Sequence, residues 1–347
     1  MRRGGAAIAE LDALAAMCAA VGADPDLVQG GGGNASLKLD GRLWIKASGT
    51  WLSRALAEPL FLPLDLERLQ RQILAGAADP TAGCYDTARS SRPSIETTLH
   101  ALLPGRVVLH THAVNTIAWA VRSDGEAMLV DRLASLDWAW VPYRRPGLPL
   151  TRAVQAVLRR RPACAVLVLA NHGLVVGAED AEGARTLTHE VERRLAREPR
   201  AAAVPDLPRL QALAEAGWRL PQDPLVHAIA CDAAALEMAR RGALYPDHVV
   251  FLDAPLPVLS EGGPDAARRR HREATGRDPC YLVLPGAGVV VAREIAPGAE
   301  EMLRCLARVL LRLPGDAPVR PLDADQVREL VSWEAEQYRQ ALNAGPA

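Results

Sequence analysis

"GGGGNASLKLDGRLWIKASG" occupies residues 30–49. A glycine run of this kind opens several anion-binding folds, and the element next to it decides between them. A dinucleotide fingerprint can be laid over Gly30, Gly32 and Ala35, but that motif needs a strand before it and a helix after it. Here the sequel is two short alternating runs on either side of Asp40-Gly41, a pair suited to a type I′ turn, so the spacing predicts a hairpin. A Walker A loop fails as well, because Lys38 is neither preceded by glycine nor followed by Ser or Thr. What remains is either a plain flexible turn or a glycine loop whose backbone N–H groups hold an anion in a nest. "KASGT" (46–50) and Ser94 at a helix start offer further donors to the same anion.

On the N-terminal side, residues 1–23 read as an amphipathic helix, because Glu10 and Asp12 interrupt the apolar stretch after the arginine pair. "PLDLERLQRQIL" (63–74) predicts a helix, and a Gly/Asp/Pro-rich loop runs on to residue 93. "SIETTLHALL" (94–103) opens another helix with Ile95, Leu99, Leu102 and Leu103 on one face. "RVVLHTH" (106–112) is a strand, followed by a helix through Val121; "AVLVLANHGLVVGA" (165–178) reads as paired strands about a tight turn, and 180–197 as a charged helix. The proline- and alanine-rich "REPRAAAVPDLPRL" (197–210) is the best boundary candidate. Beyond it, "DHVVFLDAP" and "CYLVLPGAGVVVARE" predict strands, and 298–312 and 323–342 predict helices. The expected organisation is an α/β domain over 1–200 with a mostly antiparallel sheet, then a smaller accessory α/β domain over 205–347.

Composition narrows the function classes. The 347 residues are 49% hydrophobic but only 4% aromatic, so Ala, Leu and Val must fill the core. Lys+Arg 40 against Asp+Glu 41 leaves no basic excess for nucleic acid. The 6 cysteines are dispersed without a C-x-x-C pair, which fits reduced cytosolic thiols. No run approaches the ~18 apolar residues of a membrane span. A cytoplasmic protein without a membrane or nucleic-acid partner is expected.

Side chains two apart on a strand share a face, so His110 and His112 point the same way and can converge on one metal ion. His172, before Gly173, sits where a turn can expose it, and Glu96 lies in the first turn of its helix. Each has a plainer explanation: paired structural histidines, a turn histidine, a carboxylate complementing a helix dipole. Together, three His and one Glu are the ligand set and open geometry of catalytic zinc. His100, four residues after Glu96, reads as a structural or surface histidine.

The four elements in this order resemble the class II (zinc-dependent) aldolase/adducin family. "GGGGNASLK", "KASGT", "PSIETTLHALLPGRVVLHTHAVNTIA" and "LANHGLVVGA" carry the resemblance, over about residues 8–197. "RPSIET" and "VPYRRPG" look most like the aldolase part of rhamnulose-1-phosphate aldolase/lactaldehyde dehydrogenase type proteins. The resemblance implies a three-layer α/β/α domain. It implies that His110, His112 and His172 hold one Zn²⁺ (or another divalent cation) per subunit and that Glu96 is the proton-abstracting base. Gly33, Asn34, Ser48, Gly49 and Ser94 would bind the phosphate, with Asn34 also near the enediolate oxygen. The implied activity is a lyase of carbohydrate metabolism. It would cleave a rhamnulose- or fuculose-like ketose 1-phosphate to dihydroxyacetone phosphate and an aldehyde through a metal-stabilised enediolate. A homo-oligomer, a tetramer, is also implied.

Two departures weigh on this expectation. Ile95 stands where family members often carry a second serine, and the stretch "LASLDWAW" lacks the tyrosine that fuculose-type members use as proton donor; Tyr143 is only nearby. A metal-dependent decarboxylase or epimerase of a sugar (acid) phosphate is therefore the alternative on the same fold. A non-catalytic adducin-like scaffold is the other, although it has no reason to keep four converging ligands.

Overall fold

The computed structural model describes residues 2–88, 91–214, 217–259 and 262–333, with side chains left aside at 2–6 and 214. It divides into two compact units: Met1–Thr116 with Glu126–Ala196, and Ile117–Gly125 with Arg197–Ala347. The short segment 117–125 thus clusters with the second unit, although its sequence position lies well inside 1–200.

The first unit is built on a seven-stranded sheet. Its strands are β1 (Asn34–Leu39), β2 (Arg42–Lys46), β3 (Phe61–Asp65), β4 (Val107–Thr111), β5 (Trp138–Val141), β6 (Val166–Leu169) and β7 (Gly173–Ala178). They lie in the order β3-β2-β1-β4-β7-β6-β5. Every neighbouring pair is antiparallel except β5 and β6. The β1–β2 hairpin turns on Asp40 and Gly41, whose φ values of 49° and 74° are those of a type I′ turn.

Helices α1 (Arg2–Gly22), α2 (Leu66–Leu74), α3 (Thr97–Leu102), α4 (Val114–Ala120), α5 (Gly125–Leu129), α6 (Leu148–Arg160) and α7 (Ala181–Leu195) follow in chain order. α3 packs with α2 and α6, while α1 packs with α7, and α1 and α7 also contact β1, β4 and β7. Leu99 and Leu103 around α3 meet Val108 of β4, Leu150 and Val154 of α6, and Leu167 and Val175 of the sheet in one apolar cluster. The result is the expected α/β/α layering about a mostly antiparallel sheet.

One element differs from the sequence expectation in this unit. Residues 61–65, which overlap the start of the segment 63–74, form strand rather than helix, pairing Leu62 with Ile45 and Leu64 with Leu43. Asp65 then caps the helix by accepting from the Arg68 N–H. Leu62 and Leu64 alternate, but they run straight into the helical period of 66–74, which masks the switch.

The second unit contains α8 (Leu207–Ala214), β8 (Trp218–Arg219), α9 (Ala228–Cys231), α10 (Ala233–Arg240), α11 (Pro246–Leu252), α12 (Gly263–Thr275), β9 (Tyr281–Leu284), β10 (Gly288–Ala292), α13 (Pro297–Arg312) and α14 (Ala324–Val331). Its three-stranded sheet has the order β8-β10-β9. "DHVVFLDAP" corrects the strand expectation: residues 246–252 are helical, with Pro246 in the first turn. Val249, Val250 and Leu252 are all buried, so burial on several sides erased the period that separates helix from strand. Residues 334–342 of the last expected helix lie outside the described residues. Among the described residues no helix is long and apolar enough to cross a membrane.

Candidate functional site

β4 and β7 are adjacent central strands, and they deliver the histidines. His110 sits on β4 and His112 one residue beyond its end. His172 lies in the turn between β6 and β7, next to Asn171, which takes a left-handed φ of 52°. That conformation suits Asn better than most side chains. Gly173 is required for a different reason: a Cβ there would meet the Thr111 carbonyl oxygen at 2.4 Å. The N-H-G triplet is therefore a turn that brings β7 against β4 closely enough for His172 to join His110 and His112.

The three rings converge. His110 and His112 have centroids 4.9 Å apart, His110 and His172 4.9 Å, and His112 and His172 5.2 Å. One nitrogen from each lies within 4.8 Å of the others, and all three residues are buried. His110 Nδ1 donates to the Leu174 carbonyl at 2.9 Å, which leaves Nε2 to present its lone pair. That Nε2 lies 3.1 Å from Nε2 of His112. Imidazole nitrogens around one tetrahedral zinc stand about 3.4 Å apart, so the donor set fits a divalent cation.

Glu96 completes the cluster. It occupies the N-cap position of α3, yet its side chain makes no capping hydrogen bond. Instead Oε2 lies 3.2 Å from His110 Nε2 and Oε1 3.7 Å from His172 Nε2. Oε2 also accepts from the Asn34 amide at 2.8 Å, while Oε1 has no hydrogen-bond partner among the described residues. Burial pushes this carboxyl up, but His110, His172 and the Asn34 amide outweigh it and bring it down to about 2. An ionised carboxylate held against three imidazoles is placed to act as a ligand for any cation they hold. The helix-dipole explanation for Glu96 does not account for this side-chain placement.

The glycine loop packs directly against the cluster. Asn34 is the register partner of His110. Gly33 has φ 60°, and a Cβ there would come within 2.8 Å of the His110 carbonyl. Ser94 lies beside Glu96, its hydroxyl accepting from the Glu96 N–H at 3.3 Å. Ser48 donates its N–H to Arg92 O at 2.8 Å, and Gly49 follows with φ 76°. Neither the Gly33 nor the Gly49 N–H makes a backbone bond among the described residues, as an anion nest requires.

Two supporting residues, Gln29 and Glu192, escaped the sequence reading, and a third, His100, was read there as a structural or surface histidine. The Gln29 amide donates to the His112 carbonyl at 3.3 Å and to Pro25 O at 2.8 Å. Glu192 of α7 accepts from the N–H groups of Asn115 and Thr116, fixing the helix that starts after His112. His100 is fully buried with Nδ1 2.8 Å from Ser36 Oγ, so it is a structural histidine and not a surface one. Burial lowers its pKa to about 3, which keeps it neutral. Nothing in the local spacing of these side chains announces such long-range contacts.

Residues 12–197, a stretch holding every group described above, match the family model of the class II aldolase and adducin N-terminal domain. The chain belongs to this family. A relative in Bacillus subtilis (strain 168), named uncharacterized oxidoreductase YuxG, is 31% identical over 177 residues, 47% of this chain and 25% of the relative. The chain thus spans about a quarter of the length of that curated relative. Among solved structures, the N-terminal class II aldolase domain of a conserved Thermoplasma acidophilum protein is similar at 23% identity and TM-score 0.47, covering 54% of this chain and 92% of that one. L-fuculose-1-phosphate aldolase from Thermus thermophilus is similar at 16% identity and TM-score 0.39, covering 60% and 97%.

Proposed function

We propose that this class II aldolase/adducin chain is a zinc-dependent aldolase that cleaves a ketose 1-phosphate, rhamnulose- or fuculose-like, into dihydroxyacetone phosphate and an aldehyde. The observation that carries the reading is the turning of Glu96 away from its own helix and into the three imidazoles. A scaffold gains nothing from burying a carboxylate there, since burial of charge costs several kcal/mol unless it is compensated.

His110, His112 and His172 hold the cation, with the Leu174 carbonyl fixing the ring of His110. When bound, that ion supplies Lewis-acid polarisation of the substrate carbonyl. Glu96 holds the mobile proton: in condensation it removes it from the carbon beside the carbonyl. In cleavage the proton of the hydroxyl that becomes the aldehyde leaves to solvent, while Glu96, protonated from solvent, delivers one to the released triose fragment. Asn34 orients Glu96 through the 2.8 Å hydrogen bond, leaving Oε1 free of hydrogen bonds. Gly33, Asn34, Ser48, Gly49 and Ser94 bind the phosphate through N–H and hydroxyl donors. The same reading makes the protein a cytoplasmic homo-oligomer, a tetramer.

Ile95 favours a second reading. It is half-buried and apolar at a position where family members often have a serine, and with the missing fuculose-type tyrosine it gives weight to a decarboxylase or epimerase of a sugar (acid) phosphate on the same fold. Metal analysis of the purified protein with a screen of ketose 1-phosphates and keto acids separates these outcomes. Zinc with triose phosphate release supports the aldolase. Carbon dioxide release replaces it with the decarboxylase, and a protein that binds no divalent ion overturns both.

A further inference from the structure

β5 closes one edge of the seven-stranded sheet, with β6 as its neighbour on the inner side. The Asp137 and Val141 carbonyls accept from the Val166 and Ala170 N–H groups at 3.2 and 2.9 Å, so the backbone groups of Asp137, Ala139 and Val141 face β6. Alternation turns those of Trp138 and Trp140 outward. Arg161 donates to the Trp138 carbonyl. The N–H groups of both tryptophans and the Trp140 carbonyl have no partner among the described residues. An open edge of this kind is a template for another strand. Pro142, which has no N–H to offer, limits it to these two residues.

A cleft of about 690 Å³ runs along this edge. Val141 packs with Leu150 and Val154 of α6, so Trp138 and Trp140 take the opposite face of the sheet. Ala153, Ala156 and Val157 of α6 form an apolar shelf beside the strand; the half-buried tryptophans and Val130, which is 54% exposed, extend the apolar lining. Positive charge stands at both ends. Arg144 follows the C-terminal end of β5, while Arg160 ends α6 next to Arg161, which pairs with Asp137 just before β5 begins. Arg144 donates only to the Tyr143 carbonyl, and Arg160 has no partner among the described residues. Glu126 is the one carboxylate among the residues that line the cleft.

We propose that β5 is a docking edge for an extended segment of a partner protein, apolar in its middle and acidic at both ends, which adds to the sheet as its next strand. The groups on offer are backbone donors and an acceptor spaced along a line, which suits a peptide chain over a small molecule. Trp138 and Trp140 fix the segment through its backbone, the α6 shelf takes alternate side chains, and Arg144 and Arg160 receive its carboxylates. A basic segment would leave both guanidinium groups facing like charge.

The test is fluorescence anisotropy of a labelled, end-blocked peptide with glutamate at both ends and alternating valine and threonine between, titrated with the full-length protein. Wild type should bind it saturably. Loss of a charge-assisted bond predicts binding roughly tenfold weaker or more in Arg160→Glu, and a peptide with lysine in place of glutamate should fall as far. N-methylation of alternate peptide nitrogens keeps every side chain and removes the ladder donors, so it should abolish binding. Absence of saturable binding to wild type overturns the proposal, and so does wild-type affinity in Arg160→Glu. Equal binding of the N-methylated peptide reduces the site to a charged surface and overturns strand addition. Sedimentation velocity of wild type and Ala156→Glu, a change at an exposed position of the shelf, tests the other occupant. An unchanged oligomeric state supports the partner segment; an oligomer that the variant breaks apart puts a second copy on the edge and overturns it.

Discussion

Asn34 and His110 are partners across the β1–β4 ladder, and both approach the same carboxylate oxygen: Glu96 Oε2 lies 2.8 Å from the Asn34 amide and 3.2 Å from His110 Nε2. The ladder register thus sets the aim of the carboxylate. Asn34→Ala leaves one buried carboxylate oxygen without its donor. We expect kcat to fall about 10- to 100-fold through the misplaced carboxylate, with a rise in KM because Asn34 also belongs to the phosphate-binding set. Steady-state kinetics check this, and a change confined to KM would place Asn34 in binding alone.

Replacing Glu96 by Gln keeps the size and the Asn34 contact but removes the proton acceptor. Turnover should fall by about 10²–10⁴ while metal content stays near that of wild type. Replacing any of His110, His112 or His172 by Ala should do the opposite and empty the site. Metal affinity should drop by at least the ~10–100-fold seen when only the bonds behind a ligand are disturbed. Elemental analysis distinguishes the two classes of variant.

Gly173→Ala tests the close approach of β7 to β4. Its methyl would lie 2.4 Å from Thr111 O, so one strand must give way. A loss of about 1–3 kcal/mol is expected from such overpacking. Urea unfolding measures it, and an unchanged midpoint would refute the steric argument.

Glu192 makes stability depend on pH. Burial raises its pKa to about 7 against the donors on Thr116 and Asn115, which lower it. The folded state therefore binds more protons than the unfolded state between the ordinary carboxyl range and about pH 7. Its contribution is complete at the acid end of that window and is lost as pH rises through 7. Glu192→Gln keeps an acceptor without the titration, so the stability difference between pH 5 and pH 8 should shrink by on the order of 1–3 kcal/mol. Denaturant unfolding at the two pH values reads this out.

The parts of the site that were legible in the sequence are those governed by local rules. Asp40-Gly41 announces its turn because both residues must take positive φ, and H-x-H announces a shared face because strands alternate. Spacing alone made Glu96 a carboxylate in the first turn of a helix, and the resemblance marked it as the base; its orientation depends on Asn34, which is 62 positions away in the chain. Gln29 was hidden because it joins a near carbonyl to a far one, Pro25 O four positions back and His112 O 83 positions on. The strand at 61–65 was hidden by the helix it feeds, and the helix at 246–252 by being apolar on too many sides.

His110, His112 and His172 hang from two neighbouring strands in the middle of a seven-stranded sheet. Their spacing is therefore established when the sheet forms and does not wait for a cation to gather them. Such a preset cage cannot select an ion by reshaping around it. A fixed geometry and a nitrogen donor set narrow the ions that fit, as they do at metal sites generally. Under the proposed function, supply from the surroundings then decides among the ions that fit.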